Sequence, residues 1–365
     1  MISSSHCRRM VLVALGLVGA CAAPPRRPDV VWPPPPELAR IKFVQAFRQT
    51  DDLDQSGWAR FRRKLFGGSE DPPVVQPMGL AISDSEEHLY IADFSSARVL
   101  VADFSKKRVS VFAPDEPMGK PFDVVVDADE NVYVSDQAAK GVRVFTREGE
   151  RKALLAAGQV DRPLGMAIDR KRRMLYVCDG ARKDSPNHRV RAFSLDGKHL
   201  FDLGPRDAPP AKGAGDGQFH FPTYVAVDKE GQAWVADAMN FRIQVFDPQG
   251  KFVRKYGEHG DGPGFFARLK GIAFDGFGNF YVVDGGHSNV QIFNQGFDLL
   301  MFFGGYAQKL EYFDIPSAIA IHPKSNRIYV GNQFLSRINV YQLINTKPED
   351  SQAKPPAANQ ASVAR

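Results

Sequence analysis

Pro222-Thr223-Tyr224-Val225-Ala226-Val227-Asp228, then Trp234-Val235-Ala236-Asp237, then Asn240-Phe241-Arg242-Ile243-Gln244-Val245-Phe246 is the stretch that decides the fold. Three short runs rich in β-branched and aromatic residues are separated by Asp, Asn, Gly and Lys, the pattern of short strands and tight turns. Working outward, the same order recurs in copies near 77–112, 121–157, 163–203, 269–304 and 316–343, with the quoted copy at 222–257. The Asp or Asn closing the second run stands at 93, 136, 179, 237, 284 and 332, at spacings of 43, 43, 58, 47 and 48. A period of roughly 40–50 residues with four short strands per unit indicates propeller blades.

Pro77-Met78-Gly79-Leu80-Ala81-Ile82, Leu175-Tyr176-Val177-Cys178-Asp179 and the quoted fourth copy carry a closer likeness. Pro-x-Gly-Ile-Ala-Val-Asp, Tyr-Val-Ala-Asp and Asn-x-Arg-Ile-Gln-Val-Phe resemble the NHL repeat, over the 265 residues from Pro77 to Tyr341. The resemblance implies an all-β, six-bladed propeller with four antiparallel strands per blade. Departures are local: Ser83 and His322 replace the first Asp, Asn332 replaces the second, and the fifth copy lacks the Arg.

The sixth copy stops at Leu343 without an outer strand, whereas the fourth and fifth continue into Lys251-Phe252-Val253-Arg254-Lys255-Tyr256 and Leu299-Leu300-Met301-Phe302-Phe303. Upstream of the first copy, Ile41-Lys42-Phe43-Val44-Gln45-Ala46-Phe47 reads as the missing strand. The ring at 41–344 is therefore expected to close through its N-terminal strand, leaving no open junction.

Residues 1–20 read as an export signal: Arg8 and Arg9, the apolar run 10–18, then Gly19 and Ala20 before Cys21. Val18-Gly19-Ala20-Cys21 resembles a bacterial lipobox, which implies a lipid on Cys21 and attachment to a membrane; the alternative is an ordinary signal with a chance cysteine. Ala22, in place of the aspartate that marks inner-membrane retention, points by the same resemblance to the outer membrane. With the linker and repeats, the chain looks like bacterial NHL-type lipoproteins without a defined activity. Residues 21–40, with Pro33-Pro34-Pro35-Pro36 at their centre, predict an extended tether. About twenty residues at roughly 3.1 Å each reach up to ~60 Å. The polar segment 345–365 predicts a disordered tail.

Once Cys7 and Cys21 are set aside, only Cys178 remains, which leaves no internal disulfide. It fills a repeat position held elsewhere by Ala92, Ser135 and Ala236, so a small buried residue is expected. The formal charge is +5, or +3 without Arg8 and Arg9. Nucleic acid usually demands a concentrated basic patch, so none is expected as a partner.

The repeated Asp and Arg invite a catalytic reading, but six near-identical positions argue for structure: Asp accepts turn N–H groups and Arg pairs with it. Gly213-Ala214-Gly215-Asp216-Gly217 and Gly260-Asp261-Gly262-Pro263-Gly264 lack the ending of a phosphate loop and match inter-blade turns. In an up-and-down blade the loops after the second strand and between blades share one face. The long loops 180–188, 204–221 and 257–268 lie there, so this is the expected binding face, with Phe94, Phe241, Phe265 and Phe334 as candidate contacts and some of them covering blade seams. His188, His220, His259 and His287 map to it too. They are the candidate metal ligands if the chain resembles the peptide-amidating lyases, although no ligand spacing supports a metal.

The segment 54–68 stands outside the blades. Trp58, Phe61 and Leu65 share one helical face opposite Arg60, Arg63 and Lys64, with Asp54 or Ser56 as cap. Packing on its own domain is the usual use of such a stripe; an anionic membrane is the alternative. The expectation is a non-enzymatic binding or scaffolding propeller, a monomeric domain without cofactor, facing a protein, peptide or glycan. The alternative is a metal-dependent lyase or hydrolase at the channel.

Overall fold

The computed structural model describes residues 29–180, 187–205 and 212–347. The expected signal 1–20, Cys21 and residues 348–365 of the expected tail lie outside them. Six antiparallel sheets surround a central channel, five of four strands and one of five. Blade 4 gives the plan: Pro222–Val227, Ala233–Asp237, Arg242–Phe246 and Phe252–Tyr256 are neighbours in sequence order from the axis outward. The inner three strands are buried almost throughout because blades flank both of their faces, while Phe252–Tyr256 alternates half-buried and exposed residues. Near the axis there is no room for side chains between neighbouring first strands. A Cβ on Gly79 would lie 2.4 Å from the Asp123 Cα, and one on Gly165 would lie 2.5 Å from the Thr223 carbonyl oxygen. Glycine at those positions permits the close backbone approach.

The first repeated Asp is a turn residue. Asp228 Oδ1 accepts the N–H groups of Glu230 and Gln232 at 3.0 and 2.8 Å, and its Oδ2 accepts Trp234 Nε1–H at 2.8 Å. Asp127 and Asp275 repeat this with the hydroxyls of Tyr133 and Tyr281. Ser83 substitutes by accepting His88 N–H at 3.1 Å.

The second repeated Asp reaches further than a turn. Asp93 accepts the N–H groups of Val75 and Gln76, each at 2.8 Å; Asp136 takes Gly119 and Lys120, and Asp284 takes Ala267 and Arg268. Each carboxylate ties the end of a second strand to the link arriving from the previous blade. Arg143, Arg189 and Arg242 pair with Asp136, Asp179 and Asp237 at 2.8, 3.2 and 2.9 Å, so these repeated residues serve structure.

The ring closes as expected. Strand β2, Ile41–Phe47, pairs antiparallel with Arg337–Leu343, with Ile41 opposite Leu343 and Phe47 opposite Ile338. Phe47 is buried with Leu80, Leu89 and Ile91 of blade 1 and Ala318, Tyr329 and Val340 of blade 6, so it belongs to the closing seam.

The tether differs from expectation. Strand β1, Val31–Trp32, folds back onto Ile41 and Lys42 as a fifth strand of blade 6. The Trp32 ring lies 6.1, 6.1 and 5.8 Å from those of Phe303, Tyr312 and Tyr341. Burying that aromatic surface outweighs the extended preference of the proline run. The described chain therefore begins folded against blade 6 rather than as a free tether through residue 40.

Closure yields a test. Phe47→Ala should cost about 3–5 kcal/mol, as for other fully buried aromatics, and lower the melting temperature by several degrees. Deleting 41–47 should also expose the edge of Arg337–Leu343 and promote aggregation. Unchanged melting and solubility of the deletion would show that the ring does not depend on this strand.

Candidate functional site

The channel is closed at one end. Met78, Phe122, Leu164 and Tyr224, from the first strands of four blades, belong to one buried cluster. The Tyr224 hydroxyl donates to the Met78 carbonyl at 2.7 Å, and the Phe122 and Tyr224 rings lie 5.5 Å apart. These residues open their strands, so the plug sits toward the long-loop face. From the opposite face a cavity of about 470 Å³ runs inward along the ends of the first strands to Asp123 and Tyr224. Its mouth is formed by turns containing Arg170, Lys171, Lys229 and Pro323. This opening on the axis thus faces away from the long loops.

Asp123 lies at the inner end of this cavity. Its Oδ1 and Oδ2 accept the N–H groups of Val124 and Met166 at 2.9 and 2.8 Å. Burial dominates nonetheless and pushes its pKa up to about 7. Cys178 is fully buried, and burial raises its thiol well above the usual range, as befits an inert core residue.

The long-loop face carries the apolar side chains. Of the four phenylalanines expected there, Phe265 and Phe334 are exposed, Phe334 to 68 %. Phe94 and Phe241 are only half-buried and pack against the core: Phe94 lies edge-on to Phe122, and Phe241 edge-on to His259 with ring centroids 4.6 Å apart. Sequence reading missed Met239, Leu310 and Tyr306, the last 71 % exposed on the same face. The signal was available: Lys212, His259 and Tyr306 each bridge to a phenylalanine seven residues on, Phe219, Phe266 and Phe313. The third loop lacks the glycine run that marks the other two, so it went unaligned.

The loops are fixed at their roots. Arg242 donates to the carbonyls of Ala214, Gly215 and Gln218 at 2.7, 2.9 and 2.9 Å, and Gln244 exchanges bonds with Gly217 and Gln218. Gln291 clamps Gly264 and Phe265, and Arg337 with Asn339 holds the carbonyls of Lys309, Leu310 and Tyr312. The glycine runs are therefore clamped turns.

The four histidines do not converge. His188 and His220 meet edge-on with ring centroids 5.9 Å apart, His259 sits against Phe241, and His287 Nδ1 lies 3.3 Å from Asp284. His188 Nδ1 accepts the Phe221 N–H at 3.1 Å, so it is spent on the fold, while buried Nε2 has no partner among the described residues. Burial and neighbouring His220 lower the His188 pKa and favour the neutral ring that this bond needs. Among the described residues no group of three His, Cys, Asp or Glu side chains could hold a metal. Two histidines, one already bonded, do not fit a zinc site of the amidating-lyase kind.

Asp123 supplies a pH test. Its folded pKa lies above the ordinary 3.8, so the stability it contributes is complete below that value and is lost as pH rises through 7. Relative to Asp123→Asn, the native protein should lose up to about 4 kcal/mol between pH 4 and 8, at ~1.4 kcal/mol per unit. Melting scans of both proteins across that range decide it: a constant difference means that the carboxylate stays ionised throughout.

Comparison with known proteins places this geometry. The family described as SMP-30/gluconolactonase/LRE-like region matches residues 150–258, and the one described as 6-bladed beta-propeller matches 224–303. NHL repeat-containing protein 3 of Mus musculus is 34 % identical over 106 residues, 29 % of this chain and 28 % of its own length. Peptidyl-glycine alpha-amidating monooxygenase A of Xenopus laevis is 27 % identical over 259 residues, 66 % of this chain and 26 % of its own length. The chain spans between 7 and 28 % of the length of the curated relatives it matches. A gluconolactonase structure from Xanthomonas campestris superposes with a TM-score of 0.55 at 16 % identity, covering 74 % of this chain and 88 % of that one, which bears on the fold alone. The relatives include enzymes as well as NHL-repeat proteins, and the chain is a six-bladed β-propeller that is similar over part of its length to SGL-type and NHL-repeat proteins.

Proposed function

We propose that this propeller is a non-enzymatic binding or scaffolding protein, exported and held to a membrane by a lipid on Cys21, with the outer membrane as its site. Its long-loop face meets a protein, peptide or glycan. The observation that carries the reading is the placement of Met239, Phe265, Tyr306, Leu310 and Phe334, exposed together on one face of blades 4 to 6. Exposed aromatics on a rigid support are typical anchors of binding surfaces. The Val18-Gly19-Ala20-Cys21 sequence supports the anchor. The alternative of a lyase or hydrolase at the channel draws on the amidating-enzyme likeness, but its donor set is two histidines, with no third ligand beside them among the described residues.

Two experiments test the proposal. Phe265→Ala, Tyr306→Ala and Phe334→Ala together should reduce recovery of the partner in a membrane pull-down by roughly tenfold or more, given ~1–2 kcal/mol per anchor, with melting unchanged. A partner that survives these changes but is lost on Glu130→Lys or Glu230→Lys would put the site at the short-turn face. Separately, Cys21→Ser should abolish lipid labelling and release the protein from membranes; continued labelling would refute the anchor.

A further inference from the structure

Helix α2, Gly57–Phe66, follows the short helix α1, Thr50–Leu53, between the closing strand and blade 1. Ser56 caps it by accepting Ala59 N–H at 3.1 Å. It rests on the body through one edge only. Ala59 is its single buried residue, and Arg63 donates to the Asp54 carbonyl at 3.2 Å and pairs with Asp51 at 3.5 Å. The expected packing of the apolar stripe does not occur: Trp58, Phe61, Leu65 and Phe66 are 72, 55, 60 and 78 % exposed. The Trp58 and Phe61 rings stack 5.7 Å apart in the open.

The arrangement around that stripe identifies what it meets. At about 100° per residue, Trp58, Phe61 and Leu65 fall within an arc of about 60°, and the Ala59–Arg63 edge lies roughly 150° away. Arg62 flanks the stripe on one side, and Arg60 and Lys64 flank it on the other. All three cations are exposed, and α2 itself contains no acidic residue. Most of the acids around it are engaged, Asp51 with Arg63, Asp54 with Lys107 at 4.0 Å and Asp71 with Arg108 at 2.7 Å, which leaves Glu70 as the one carboxylate of the hollow without an ion pair among the described residues. Lys106 and Lys107 of blade 1 line the same hollow as Trp58, Arg62 and Phe66. At 150–250 Å² per aromatic ring, these exposures amount to on the order of 500 Å² of surface. That is short of the ~800 Å² per partner of a stable protein interface. Aromatic side chains at the centre with unpaired cations on both flanks match a lipid headgroup boundary: the rings enter the acyl edge and the cations meet phosphates.

We propose that α2 is a membrane-docking element that inserts Trp58, Phe61 and Leu65 into the surface of an anionic lipid bilayer. This stands apart from the lipid on Cys21, and the test excludes that lipid. Residues 29–347 contain every strand of the six sheets and the closing strand, so this piece is the ring itself. It is mixed with vesicles of phosphatidylglycerol and phosphatidylethanolamine, or of phosphatidylcholine alone. Trp58 is the one exposed tryptophan of three, so it reports directly. The expected result is co-sedimentation with the anionic vesicles only, a blue shift of tryptophan emission, and weakening at about 1 M salt, where the Debye length is ~3 Å. Phe61→Ala with Leu65→Ala should abolish the shift. Arg60→Gln, Arg62→Gln and Lys64→Gln together should weaken binding on the order of a hundredfold, at a factor of about five per cation. Melting should be unchanged in both, since every altered side chain is exposed. Absence of vesicle binding, or binding indifferent to these variants, overturns the proposal. So does a monomer–dimer equilibrium that the apolar variant abolishes without any vesicle binding, which would give the stripe to a second copy.

Discussion

The buried Asp near the end of the second strand, present in five of the six blades and replaced by Asn332 in the sixth, makes the bond on which the ring depends. Blades touch through apolar faces, and apolar contact by itself does not fix where one blade hands over to the next. The buried Asp does, by accepting the N–H groups of the incoming link, and Asn332 does so in blade 6 with Asp314 N–H at 3.1 Å. Hydrogen bonds to a charged group are worth roughly 1.5–3 kcal/mol each, and a buried partner left bare costs more. Two members of the set show the balance. At Asp136, burial raises the pKa but the N–H groups of Gly119 and Lys120 with Arg143 outweigh it, and the net shift is downward. At Asp237 burial wins and the net shift is upward. Asp237 takes only the His220 N–H from its link, because the Phe221 N–H goes to His188 instead. A histidine that looks catalytic by its position is thus a substitute acceptor for the link N–H that Asp237 does not take.

Fixing the roots of the links frees their tips. Arg242, Gln244, Gln291, Arg337 and Asn339 all spend donors on link carbonyls, so the described parts of the links into blades 4, 5 and 6 are held from below. The side chains at the tips need hold nothing, and Phe265, Tyr306 and Leu310 stand exposed. The opposite face is made differently. There the first Asp folds tight turns around its own carboxylate, which leaves no loop to vary but leaves the axis open. Loop variety and channel access therefore lie on opposite faces.

What repeats was legible in the sequence. Six copies of a strand pattern specify six blades, and a missing outer strand in the last copy specifies its replacement at 41–47. Single events were not legible. Trp32 reads as part of a proline tether until its aromatic partners, scattered over Phe303, Tyr312 and Tyr341, are brought to it by the fold. The channel plug joins Met78 to Tyr224 across 146 positions, a contact that no local pattern encodes. The helix at 57–66 was readable as a helix, with Asp54 or Ser56 as its cap, of which the fold uses Ser56, but the side it turns to the body was not. Periodicity shows that an apolar stripe exists, and only tertiary placement shows whether it is covered.

That placement bears on how the molecule would stand on a membrane. Asp29 pairs with Lys42 of the closing strand at 2.8 Å, so the described chain begins on the outer edge of blade 6. Helix α2 follows the same strand, and Asp54 just before it pairs with Lys107, in the turn before the outer strand of blade 1. Both features lie at the junction of the last and first blades, and Lys107 belongs to the short-turn side. A bilayer meeting this sector would be held by the rim of the ring rather than across either face. The long loops of blades 4 to 6 would project from the other side, with Phe265, Tyr306 and Phe334 clear of the lipid. Orientation there would come from the helix: attachment at one point alone leaves a domain free to rotate, and a second contact on the same sector removes that freedom.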